Sequence, residues 1–123
     1  MTNNGTPQDA ADIVAAEWQS ILAYDEDLID PVVPRTAYAN PRLRGLFPMV
    51  SHGTLYLSRC TRFPWTDDIG TMRKLVVGGY RVRRESDKTV LGETETVQEA
   101  IDLIAANLPE GCGPAIDGTA DDL

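Results

Sequence analysis

The chain has a single histidine, only two cysteines and no long apolar run, and each shortage removes a class of function. Cys60 and Cys112 stand without a CxxC or a His-Cys spacing, which argues against a zinc site and a disulfide framework and leaves two reduced thiols. No stretch approaches the roughly 18 to 20 consecutive apolar residues that cross a bilayer, and the opening MTNNGTPQDAAD has no basic region leading into an apolar one. A cytoplasmic protein with no membrane span is the expectation. Basic residues are also scarce, 11 against 19 acidic ones, and the net charge of -8 gives a field that repels DNA and RNA. Gly78-Gly79 lacks the GxGxxG or GxxxxGK[ST] pattern of a phosphate loop, and Asp67-Asp68, Asp121-Asp122 and the run from Asp25 to Asp27 lack the alternation of a calcium loop. Neither a cofactor nor a metal is expected.

What is present fits one domain over residues 1–123, with 42% hydrophobic and 24% charged residues. Ten glycines and eight prolines imply much irregular chain. Thr6-Pro7-Gln8-Asp9 reads as a helix start, and Ala10, Val14, Trp18, Ile21 and Leu22 form its apolar stripe through about Tyr24. Pro31, Pro34, Pro41 and Pro48 exclude both a long helix and a central strand, so brief helical turns are placed near 31 to 39 and 41 to 46. Strands are read at 54 to 60, 74 to 77, 80 to 84 and 89 to 94, with Gly78-Gly79 as a turn between the second and third. Thr96-Val97-Gln98-Glu99 has the spacing of a capping box, and Val97, Ile101, Ile104 and Leu108 define the helix that follows. The whole is an α+β fold, a small antiparallel sheet of about four strands with an N-terminal and a C-terminal helix. The ordered core is expected over about 6–110, and 111–123 reads as a mobile acidic tail with too little apolar surface to offset its ordering entropy.

The stretch MVSHGTLYLSRCTRFPW, residues 49 to 65, concentrates the residues able to do chemistry. His52 is the only candidate base, since its unperturbed pKa lies near 6.5. A histidine that braces the turn before a strand is the commoner outcome, and the adjacent Ser51 does not make a triad. Arg59, Arg81 and Arg83 sit at strand spacing and can converge on a carboxylate, although alternate solvent-facing arginines are more usual on a sheet. Tyr56, Phe63 and Trp65 supply aromatic surface beside them, with Trp65 in a loop after Pro64. The basic residues Arg59, Arg62, Arg73, Lys74, Arg81, Arg83 and Arg84 form a local positive region able to hold one carboxylate-bearing ligand. No catalytic constellation stands out, and a small acidic domain with an amphipathic groove is the result.

NPRLRGLFPMVSHGTLYLSRCTRFPW, residues 40 to 65, with the flanking helices, resembles a family of small actinobacterial proteins from natural-product gene clusters, whose best-understood members act in cinnamycin and duramycin biosynthesis. The resemblance spans roughly residues 10 to 110 and rests on an extended string rather than a catalytic signature. It implies a lysinoalanine synthase, which adds a lysine amine to a dehydroalanine in a lanthionine-containing peptide. With a reference pKa of about 10.4, roughly one lysine amine in 2,500 is neutral at pH 7, so a proton acceptor and a fixed geometry are both needed. The resemblance further implies that a hydroxyaspartate of the substrate serves as the base. His52, Tyr56, Arg59, Trp65 and Arg81 are the expected peptide-binding residues by their own chemistry. The partners expected are a modified precursor peptide and a second copy of the chain, because a groove between two protomers buries more of a bulky ligand. The alternative is a non-catalytic module that binds, sequesters or delivers the peptide.

Overall fold

A computed structural model describes residues 9–123 and has an α+β architecture, three helices packed on one face of a five-stranded antiparallel sheet. Helix α1 covers Ala10–Leu22 and buries Val14, Trp18 and Ile21, the heart of the expected stripe. Its cap is Asp9, whose carboxylate accepts from Asp12 N at 3.0 Å; Thr6 and Pro7 lie outside the described residues. Helix α2 spans Val32–Ala39, where Asp30 Oδ1 accepts from Val32 N at 3.1 Å. Pro34 falls in its first turn, where the missing N–H has no intrahelical acceptor to lose.

The helix expected at 41 to 46 does not form. Asn40 Oδ1 accepts from Arg42 N at 2.9 Å, Asn40 O accepts from Leu43 N and Arg44 N, and the turn stops at Gly45. Strand β1, Phe47–Ser51, follows instead, which makes the sheet five-stranded rather than four-stranded. Pro48 is tolerated because β1 is an edge strand with a partner on one side only. Its start is fixed by Trp18, whose Nε1–H donates to Leu46 O at 3.0 Å from a fully buried indole.

The strands run in chain order as a meander: β1, then β2 (Thr54–Ser58), β3 (Gly70–Lys74), β4 (Tyr80–Arg84) and β5 (Thr89–Thr94). Strand β3 lies four residues earlier than the expected 74 to 77. The apolar run Leu75-Val76-Val77 that suggested a strand is a hairpin tip, with Val76 and Val77 exposed and Leu75 N donating to Gly79 O at 2.9 Å. Gly79 must be glycine there: its φ is 81° and a Cβ would lie 2.6 Å from Thr94 O.

Helix α3, Val97–Ala106, opens on the expected capping box and buries Val97, Ala100, Ile101, Ile104 and Ala105. Leu55, Leu57, Met72 and Val82 meet these helices in one core, and among the described residues the opposite sheet face carries no helix. By strand alternation that open face presents Met49 of β1, Tyr56 of β2, Thr71 and Arg73 of β3, and Arg81 and Arg83 of β4.

Residues 111–123, expected as a mobile tail, pack as a strap in their greater part. Ala115 is buried and its N–H donates to Gly45 O at 2.9 Å; Ile116 N donates to Arg59 O at 3.0 Å, and Ala120 N to Pro64 O at 2.8 Å. Apolar content alone does not foresee this packing, because backbone pairing to the 59–64 loop supplies what the few apolar side chains do not. Thr61 Oγ1 adds a bond to Asp117 Oδ1 at 2.9 Å, and a short 3-10 turn, Ala120–Asp122, ends the chain. No helix among the described residues is long and apolar enough to cross a membrane.

Candidate functional site

The strap holds the loop from Arg59 to Trp65 against the open sheet face, and that loop brings aromatic side chains over the edge formed by β1. Trp65 stacks on Phe47 with ring centroids 5.4 Å apart and planes 12° from parallel. Together with Met49, Tyr56, Phe63 and Pro64 it lines a mainly apolar groove of about 270 Å³. Phe63 is 77% exposed, which leaves a large aromatic surface without an intramolecular partner.

A second recess opens beside the groove and shares Tyr56, Thr71 and Glu85 with it. This one is polar, about 200 Å³, and adds Thr54, Arg73, Arg81 and Arg83 to its walls. The register explains the cluster: Arg73 lies directly across from Arg81, and Thr71 from Arg83, on neighbouring antiparallel strands. Arg81 is engaged by Glu93, its opposite number on β5, through Nε at 3.0 Å and Nη2 at 2.8 Å. Arg83 Nε is buried without a hydrogen-bond partner among the described residues, since Glu85 Oε2 stands 3.6 Å away.

Of the five expected binding residues, Tyr56, Trp65 and Arg81 come together on this face, with Tyr56 joining groove to pocket. His52 does not join them. It is exposed at the β1–β2 turn, with φ of 52° followed by 74° at Gly53, the two positive values of a tight two-residue hairpin. Ser51 Oγ lies 3.0 Å from His52 Nδ1, and neither residue lines the groove or the pocket. Arg59 is likewise diverted: Nε donates to Asp68 Oδ1 at 3.3 Å and Nη2 to Oδ2, and this bonding raises its pKa above the ordinary guanidinium value. Arg59 and Asp68 brace the loop, aided by Arg59 N donating to Thr66 Oγ1 at 2.9 Å.

Met49, Thr54, Thr71, Arg73 and Glu85 are lining residues absent from the site expected from the sequence. Arg73 was visible as part of the basic region, but placing the second strand at 74 to 77 put it outside any strand. The pattern Thr71-x-Arg73 facing Arg81-x-Arg83 across a hairpin was the signal available.

Burial pushes the Cys112 thiol above its ordinary pKa, and Cys60 is buried, so neither thiol has the electropositive, exposed setting of a nucleophile. Among the described residues no three His, Cys, Asp or Glu side chains gather as metal ligands do. A further apolar cleft of about 360 Å³ lies around Trp18, Tyr38 and Pro114. Its single charged wall residue among the described residues, Arg44, is occupied by Tyr38 O at 2.7 Å, Ala39 O at 3.3 Å and the Tyr38 ring. Among the described residues that cleft offers no unengaged charged group to orient a ligand.

Fold and site therefore define a small α+β protein with one helix-covered and one open sheet face, the latter combining an aromatic groove with a cationic pocket. The chain belongs to a family of unknown function, DUF6193, which matches residues 12–119. No curated protein and no solved structure matches it.

Proposed function

We propose that the chain binds a modified precursor peptide on its open sheet face and closes a lysinoalanine bridge within it, acting in the cytoplasm as a homodimer. The observation that supports this reading is the continuity of apolar groove and cationic pocket at Tyr56, a surface suited to a peptide with both apolar and charged side chains. The sequence resemblance supplies the reaction.

In that reaction the lysine Nζ attacks Cβ of dehydroalanine. A C–N bond forms, the C=C π bond breaks, Cα takes up a proton, and the ammonium proton leaves to a base. Nothing is lost, so mass is unchanged. Arginines and threonines on the face can hold and orient, but they are poor proton acceptors near neutral pH. Two carboxylates line the groove, Asp67 and Glu85; Glu85 also lines the pocket and lies between Arg83 Nε at 3.6 Å and Lys88 Nζ at 3.4 Å. The resemblance points to a base carried by the substrate, its hydroxyaspartate, with the protein contributing preorganisation that can supply up to about 7 to 11 kcal/mol.

No histidine lines the groove or the pocket, which favours the second reading, a non-catalytic module that holds or delivers the peptide. Thiol labelling of dehydroalanine separates the two. With protein at one part in fifty of peptide, progressive loss of labelling across the whole pool is the result expected of an enzyme. Protection that stops at one peptide per protein, reversed on unfolding, identifies a binding module. Glu85→Gln and His52→Ala proteins complete the test: if either binds the peptide but no longer closes the ring, the base belongs to the protein and substrate assistance is wrong.

A further inference from the structure

The arginine pocket has features that sheet stability alone does not explain. Arg73 and Arg81 form a directly opposed like-charge pair, an arrangement that destabilises a sheet. Glu93 offsets Arg81, while Arg73 pairs with no carboxylate among the described residues. Arg83 keeps a buried Nε–H that makes no hydrogen bond among the described residues, with Glu85 Oε2 in ion-pair range at 3.6 Å and so only partly compensating its desolvation. Tyr56, Thr54 and Thr71 stand on the same wall, and all of these reach one recess of about 200 Å³.

We infer that this recess is a receiving site for one carboxylate on the bound peptide, with Arg83 Nε and the Arg73 guanidinium as its principal donors. The local charge selects the anion. Arg73, Arg81, Arg83 and the nearby Lys88 against Glu85 and Glu93 leave the recess net positive, which favours an anion, and the guanidinium forks suit a planar carboxylate. The neighbouring groove selects its context, because a carboxylate seated here places the adjoining residue over Tyr56 and Trp65. The ligand class is thus an acidic residue next to an apolar or aromatic one. A carboxylate held by arginines is kept ionised and made less basic, so this one anchors the peptide and is distinct from the base. The ligand class rests on the peptide-binding reading, whereas the anion chemistry rests on the arginines alone.

The experiment titrates the full chain with N-acetyl-Phe-Asp-amide, N-acetyl-Phe-Asn-amide and inorganic phosphate, following the arginine Nε–Hε NMR signals. The Asp peptide is expected to shift the Arg83 signal saturably and to bind about ten-fold more tightly than the Asn peptide, with phosphate the weakest. Arg73→Gln is expected to abolish that preference while leaving the protein at least as stable, since it removes the opposed like charge. Arg35→Gln, on the exposed side of α2 and away from the pocket, is expected to change nothing. Equal binding of the Asp and Asn peptides, tighter binding of phosphate, or no saturable shift at Arg83 overturns the site. Ring closure is read separately: its loss with carboxylate preference intact refutes only the proposed reaction, and the reverse refutes only the carboxylate site.

Discussion

Phe63→Ala is the cleanest perturbation of the proposed peptide surface. With Phe63 77% exposed, little of its ring contributes to folding, and truncation is expected to change stability by no more than about 0.5 kcal/mol. A phenylalanine side chain carries on the order of 200 Å² of surface, so a ligand covering half of the free part buries roughly 75 Å². At about 25 cal/mol per Å² that is about 2 kcal/mol, or roughly 25-fold in Kd. Calorimetric titration of the precursor peptide into wild-type and Phe63→Ala protein measures the loss, and urea unfolding of both measures stability. Weakening by an order of magnitude with an unchanged urea midpoint supports the groove. Unchanged affinity refutes the reasoning, as does a fall in stability large enough to account for the weaker binding.

Three further outcomes follow from the fold and its charges. Trp18→Phe removes the donor to Leu46 O from a fully buried position, and urea unfolding is expected to show a loss of about 2 to 4 kcal/mol; a loss under about 1 would contradict the role given to that bond. Arg84 bonding holds the Asp87 carboxyl well below the usual range. A depressed carboxylate stabilises the fold above its unfolded pKa and loses that contribution as pH falls towards the folded one, so wild type is expected to lose more stability than Asp87→Asn as pH drops below about 4. Because the pair is exposed and screened, the difference is small, and identical pH profiles would remove it. Sedimentation is expected to show a homodimer at working concentration; a monomer with and without peptide would remove the dimer.

The parts of the fold that were readable from sequence are those fixed by local chemistry. The Thr96–Glu99 capping box and the Trp18 stripe specify helices without reference to the rest of the chain. Strand β1 was hidden by Pro48, whose acceptability depends on edge position, a property of topology rather than of the residue. Leu75-Val76-Val77 has strand composition, yet Gly78-Gly79 and the pairing of Gly70–Lys74 with Tyr80–Arg84 turn it into a tip. The same displacement concealed Arg73. Tyr56, Trp65 and Arg81 were chosen for their chemistry and converge, while His52 and Arg59, chosen on equal grounds, are taken up by a turn and by Asp68. Residue type alone cannot separate these two outcomes; the partner across the strand decides.

Whether the open sheet face is the working surface is read by chemical-shift mapping of the full chain with the unbridged precursor peptide. Saturable changes centred on Met49, Tyr56, Trp65, Thr71 and Arg81 are predicted, with the helix-covered face unaffected. Changes centred instead on the cleft of Trp18, Tyr38 and Pro114, or no saturable change at all, would contradict it.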